Sequence, residues 1–146
     1  HVALLSDDYL EPTSEWKRIF VDRSREAPAV FKHDGRYFIV SSGCTGWDPN
    51  PAEYAVADSI MGDWEVKGSP CEGEGCDVTF DSQSTYVVPV AGQPGRFIFM
   101  ADRWRPEDLP DSRYIWLPMK VEGDTVSIEW KDEWSLEPAE GDAETS

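Results

Sequence analysis

Two side chains stand where paired catalytic groups would stand. Glu26 heads the run Glu26-Ala-Pro-Ala-Val-Phe, and Gln83 heads the run Gln83-Ser-Thr-Tyr-Val-Val. A carboxyl opening an apolar strand is expected to lose water, and that burial favours its protonated form, as a general acid requires. Glu26 is therefore the candidate acid. The alternative is a structural ion pair with Arg23 or Arg25.

The loop Ser42-Gly-Cys-Thr-Gly-Trp offers the Thr45 hydroxyl to a sugar and the Trp47 face for stacking, on glycines that allow close backbone approach. Its counterpart Ala101-Asp-Arg-Trp adds the Arg103 donor and the Trp104 indole, and Tyr86 joins this candidate substrate-binding set. Each tryptophan has core packing as its alternative, and packing is the expected role of Trp64 and Trp130. There is no Gly-Xaa-Ser-Xaa-Gly elbow, no histidine in a setting suited to a triad, and no phosphate-binding glycine motif.

The elements that must carry these residues read as short strands: Val2–Leu5, Ala29–Lys32, Tyr37–Ser41, Tyr54–Ala57, Asp63–Lys67, Thr85–Val90, Arg96–Met100, Tyr114–Lys120 and Thr125–Trp130. Each is rich in β-branched or aromatic residues and bounded by turn signals such as His33-Asp-Gly, Met61-Gly-Asp, Gly92-Gln-Pro-Gly and Glu122-Gly-Asp. No window has a helical period, and a helical turn is expected only near Pro106–Leu109. The fold class is all-β.

An internal repeat organises these strands. Glu26, Gly35-Arg-Tyr-Phe-Ile, Trp47, Tyr54-Ala-Val-Ala and Gly62-Asp-Trp recur in order as Gln83, Gly95-Arg-Phe-Ile-Phe, Trp104, Tyr114-Ile-Trp-Leu and Ile128-Glu-Trp. A four-stranded antiparallel unit in tandem is the signature of propeller blades. The segments His1–Leu5 and Glu15-Trp-Lys match only the second half of the unit. About two and a half blades are therefore expected, opening at a third strand, as in a chain that begins inside a larger protein. Residues 1–136 form this part. Residues 137–146, Glu-Pro-Ala-Glu-Gly-Asp-Ala-Glu-Thr-Ser, read as an acidic disordered tail.

Composition narrows the partners. With 13 basic and 29 acidic residues the formal charge is −16, which repels phosphate backbones and argues against nucleic acid. No apolar run approaches the ~20 residues of a membrane span. Two histidines and three cysteines make a poor zinc set, and no metal or cofactor is expected. Cys71 and Cys76 bracket a Glu-Gly-Glu-Gly loop and could close a small disulfide ring, leaving Cys44 free.

The strings Arg23-Ser-Arg-Glu-Ala-Pro-Ala-Val-Phe-Lys, Gly35-Arg-Tyr-Phe-Ile-Val-Ser-Ser-Gly-Cys-Thr-Gly-Trp, Tyr54-Ala-Val-Ala-Asp-Ser-Ile-Met-Gly-Asp-Trp, Ser82-Gln-Ser-Thr-Tyr-Val and Phe97-Ile-Phe-Met-Ala-Asp-Arg-Trp resemble glycoside hydrolase family 43. The closest likeness is to its galactan 1,3-β-galactosidase branch. The resemblance covers the chain to about Leu136. It implies a five-bladed β-propeller, of which this is the C-terminal portion, and inversion at the anomeric carbon. It also implies Glu26 as general acid and Gln83 as the amide assisting water where the usual Asp base is missing. The rest of the acid/base set would lie on absent earlier blades, so little activity is expected of this chain alone. Association with itself or with the missing blades could restore some. The substrate implied is a β-galactan or related plant polysaccharide, with arabinofuranosides and xylosides as relatives' substrates, and the parent protein is expected to be secreted or extracytoplasmic. The competing readings are a carbohydrate-binding propeller segment without catalysis and a partner-binding propeller.

Overall fold

In the computed structural model, which describes residues 1–136, strand-forming sequence resolves into three sheets built mainly of antiparallel pairs. Strands β1 (Val2–Leu5) and β2 (Pro12–Lys17) pair as an isolated half-blade. The first blade has the order β3 (Arg25–His33), β4 (Arg36–Gly43), β5 (Glu53–Ala57), β6 (Glu65–Gly68). The second blade contains β7 (Cys71–Glu72), β8 (Gln83–Pro89), β9 (Arg96–Arg103), β10 (Arg113–Glu122) and β11 (Thr125–Glu129), in the spatial order β7-β11-β10-β9-β8. The expected partial propeller is present, with β4 and β9 opening at the repeat-related Arg36 and Arg96.

Period-two alternation explains the packing. On β10, Ile115, Leu117, Met119 and Val121 are buried, while Tyr114, Trp116, Lys120 and Glu122 face out. The same pattern buries Phe97, Phe99 and Ala101 on β9, and Val126 and Ile128 on β11. The buried faces of the two blades meet in one core. Phe31 of β3 stacks on Phe38 at 5.0 Å and tilts onto Phe97 of the second blade, also at 5.0 Å. Across the same seam, the Val126 N–H donates to the Tyr54 hydroxyl at 3.4 Å.

The structure corrects four expectations. First, β3 begins at Arg25, not Ala29, so Glu26 lies within the sheet. Pairing breaks between Glu26 and Ala29, where Pro28 has no N–H, and resumes with Glu26 opposite Ser42. Second, the second blade carries a fifth strand, because Cys71–Glu72 adds parallel to β11. Two residues are too few to show a pattern in sequence.

Third, Trp64 and Trp130 are not equivalent. Trp64 precedes β6 and donates its indole N–H to the Ile60 carbonyl at 3.2 Å, whereas Trp130 follows β11 and is 40% exposed. Fourth, the ring that Cys71 and Cys76 could have closed is absent: both are free thiols, as is Cys44. Pairing with β11 turns Cys71 into the core. The expected helical turn is a 3-10 turn at Leu109–Asp111, and another forms at Cys76–Val78. The expected tail, 137–146, lies outside the described residues.

Burial pushes the Cys71 thiol up to about 12, with Cys76 adding to the effect. The fold therefore favours the protonated thiol, while the unfolded chain ionises near the ordinary value. Stability from this residue is intact below pH 9 and falls by about 1.4 kcal/mol per pH unit above it, until the folded thiol also ionises. Urea unfolding at pH 8 and pH 10 should show this loss in wild type and its absence in Cys71→Ala. Equal slopes in the two proteins would refute it.

Candidate active site

The site assembles where β3 and β8, the first strands of the two blades, meet. Each strand has a bulge near its polar head residue: directly after Glu26, between Glu26 and Ala29, and one residue past Gln83, between Ser84 and Tyr86. Ser84 and Val87 are buried, so the second bulge carries Tyr86 to the outer face that Gln83 also uses. Gln83 Nε2 donates to Glu26 Oε1 at 3.1 Å, and one residue on, the Ser84 hydroxyl donates to the Ala27 carbonyl at 2.7 Å.

Glu26 lines a hollow of about 170 Å³ with Phe20, Pro28, Val30 and Ile39. The apolar neighbours expected of it are there, but the hollow is open and Glu26 is exposed, so the expected burial is not. The structural ion pair is not made either. Arg23 bonds Glu53 at 2.8 Å, and Arg25 lies 3.7 Å from the same carboxylate while donating to Ser41. Burial pulls the Arg25 guanidinium below its ordinary value, and Glu53 opposes that shift.

On the other side of Gln83 a narrow cleft is lined by Ser42, Trp47, Asp48, Asp81, Asp102 and Trp104. Trp47 and Trp104, from equivalent loops, meet edge to face at 4.6 Å and remain 54% and 39% exposed. They form an aromatic wall beside the Glu26–Gln83 pair. Thr45 is used differently from expectation. Its hydroxyl donates to the Asp48 carbonyl at 2.5 Å and accepts from Asn50 Nδ2 at 2.7 Å, which shapes the loop carrying Trp47.

Two other members of the expected set lie apart. Tyr86 is exposed in a row with Met100 and Trp116, outside the cleft. Arg103 donates to the Phe80 carbonyl at 2.6 Å and lies 5.2 Å from the Trp130 ring. It lines a separate hollow of about 800 Å³ with Glu72, Asp81, Glu129 and Asp132. This hollow is larger than the cleft beside Gln83, and Glu26 lines neither; the Gln83–Glu26 contact, not volume, marks the cleft side as the candidate site.

Sequence reasoning missed Asn50, Thr79 and Asp102. Asp102 is opposite Gln83 in the β8–β9 register and was legible in the Ala101-Asp-Arg-Trp repeat. Asn50 Oδ1 accepts from the Gly43 N–H at 2.6 Å, hidden in what reads as a plain Asp-Pro-Asn-Pro turn. Buried Thr79 donates to the Asn50 carbonyl and accepts from the Ala52 N–H, both at 2.7 Å. It starts a run of left-handed residues, Thr79, Phe80 and Asp81, that delivers the chain into β8. Thr79→Val keeps the shape but orphans both backbone groups. Unmade bonds of this kind cost about 1–3 kcal/mol each, so urea denaturation should show a loss of about 2–4 kcal/mol. A loss under 0.5 kcal/mol would show that the clamp is idle.

The geometry can be set beside known proteins. No protein-family model matches the chain, and no curated protein matches it. Among solved structures, a β-1,3-galactosidase of glycoside hydrolase family 43, determined with galactodeoxynojirimycin, is 50% identical over 92% of this chain with a TM-score of 0.85. In fold and in sequence the chain is similar to glycoside hydrolase family 43 structures. An exo-β-1,3-galactanase from Clostridium thermocellum is 33% identical over 86% of the chain, with a TM-score of 0.74. One from Phanerochaete chrysosporium, determined with β-1,3-galactotriose, is 31% identical over 86% of the chain, with a TM-score of 0.75. The chain spans 39% of the length of the first of these structures and 28% of the other two. The two blades and half-blade described above thus correspond to part of the propeller in these family 43 structures.

Proposed function

We propose that this chain supplies the general acid and the aromatic sugar wall of an inverting glycosidase acting on β-1,3-linked galactan. The observation that supports this most is the 3.1 Å contact between Gln83 and Glu26, made by the head residues of neighbouring blades beside Trp47 and Trp104. The likeness to β-1,3-galactosidases and galactanases supports the sugar. A polysaccharide substrate in turn favours a secreted or extracytoplasmic parent protein.

In this mechanism Glu26 protonates the glycosidic oxygen as its bond to the anomeric carbon breaks. Water adds from the opposite face, the carbon inverts, and the proton that water releases restores the acid through solvent. Inverting sites hold that water between groups about 6.5–9.5 Å apart. Gln83 is too close to Glu26 to hold water between them in the sugar-free arrangement. It braces the acid, and an entering glycosidic oxygen takes its place. The amide suits this duty because it offers N–H to a carboxylate and C=O to a carboxylic acid. Trp47 and Trp104 stack on sugar rings, whose C–H faces are apolar.

The test is nitrophenol release from aryl β-galactoside, α-arabinofuranoside and β-xyloside by the longest natural polypeptide carrying these residues. Release chiefly from the β-galactoside is expected, and preference for either other sugar would refute the galactan assignment. The exposure of Glu26 favours a second reading, sugar binding without turnover. In that case galacto-oligosaccharides would raise the melting temperature while no glycoside was cleaved.

A further inference from the structure

Glu26 sits on a backbone that is costly to hold. Ala27, the next residue, has φ of 48°, in the left-handed region that residues with a Cβ avoid. This conformation falls inside the bulge that follows Glu26 in β3, so it bears on the direction in which the Glu26 side chain projects. Among the described residues, the one side-chain hydrogen bond to the Ala27 carbonyl comes from the other blade. Ser84 is 2% exposed, and its hydroxyl donates to that carbonyl at 2.7 Å. The Glu26–Gln83 and Ala27–Ser84 bonds each join residues 57 apart in sequence. They are successive rungs between equivalent positions of adjacent blades, one touching the acid and the other touching the peptide that aims it.

We propose that Ser84 is a positioning residue for the general acid: its buried hydroxyl holds the left-handed bulge at Ala27 and so directs the Glu26 carboxyl toward the glycosidic oxygen. The inference rests on the reading of Glu26 as acid. Ser84 touches neither substrate nor the reacting atoms. Its effect should therefore appear only where proton delivery limits the rate, and it should depend on what residue 27 must endure.

The experiment compares wild type, Ser84→Ala, Ala27→Gly and the double variant in the longest natural polypeptide carrying these residues. The substrates are phenyl and 2,4-dinitrophenyl β-galactoside. Phenoxide needs a proton to depart and dinitrophenoxide does not. Ser84→Ala should lower kcat about tenfold on the phenyl glycoside and less than twofold on the dinitrophenyl glycoside, with KM within twofold on both. Glycine adopts φ near 48° without a Cβ penalty, so the double variant should recover to within threefold of Ala27→Gly alone.

Equal losses on the two substrates would make Ser84 merely structural and overturn the proposal, as would an unchanged rate in Ser84→Ala. Crystal structures of the same variants test it without turnover. Ala27 remaining left-handed, with the Gln83–Glu26 bond intact, in Ser84→Ala would overturn it, and a flattened bulge with Glu26 turned away would support it. Glu26→Gln run on the same two substrates keeps the two ideas apart. If that variant shows no dependence on the leaving group, the assignment of the acid fails, whatever Ser84 does to the bulge.

Discussion

Glu26→Gln is expected to lower kcat by about 10²–10⁴-fold, the usual worth of a positioned general acid, while leaving sugar affinity within a few-fold. The amide matches the carboxyl in size and can still hydrogen-bond Gln83, which lies 3.1 Å from Glu26 Oε1, but it has no proton to give. Binding depends on the indoles of Trp47 and Trp104, which the substitution leaves in place. The loss should be largest for natural galactan, whose leaving alkoxide is a strong base, and smallest for dinitrophenyl galactoside. Turnover within threefold of wild type on phenyl galactoside would remove Glu26 from the mechanism. Isothermal titration with galacto-oligosaccharides completes the comparison. If affinity vanished together with turnover, Glu26 would be a binding group and not the acid.

Phe31→Ala should destabilise the protein by about 3–5 kcal/mol, as expected for deleting a buried phenyl ring where neighbours cannot collapse. Phe31 is buried and makes two ring contacts at 5.0 Å, with Phe38 in its own sheet and Phe97 in the other. The cavity would open at the seam between blades, where neither strand can move without breaking its own ladder. Domains have only about 5–15 kcal/mol of stability in total, so this is a large share of it. The effect should reach the site, because the same seam sets Gln83 against Glu26. Urea denaturation followed by tryptophan fluorescence gives the loss, and a value under 1.5 kcal/mol would show that the seam repacks. Phe31→Leu, which keeps most of the apolar volume, should cost less than half as much.

The blades were legible because their signals are local. Alternating Ile115, Leu117, Met119 and Val121 needs only one buried face to become a strand, and Gly35 and Gly95 mark equivalent hairpins. The repeat between Glu26 and Gln83 was equally readable, and the propeller rule for first strands brought both to one place. The expectation for Glu26 itself was only half met. Its apolar neighbours are real, but their number does not say whether the hollow they form is closed, and here it is open. The disulfide that Cys71 and Cys76 could have closed is not formed, for a related reason. Spacing permitted it, while pairing of Cys71–Glu72 with β11 turned the first thiol into the core.

The division between sequence and tertiary structure follows from range. Most strands, the turns, the repeat, the family likeness and the candidacy of Glu26, Gln83, Trp47 and Trp104 were legible within short stretches of chain, where side-chain period and backbone preference act. Which of the candidates work together was decided only by packing one blade on the other. Contacts within each blade spent the Thr45 hydroxyl on its own loop, drew Arg103 toward Phe80 and Trp130, and left Tyr86 outside the cleft. Packing between the blades brought Ser84 onto Ala27 and Thr79 onto Asn50 and Ala52. A hydrogen bond requires its donor and acceptor within about 3 Å, and residues so far apart in sequence reach that distance only when the shared core sets two sheets in one fixed relation.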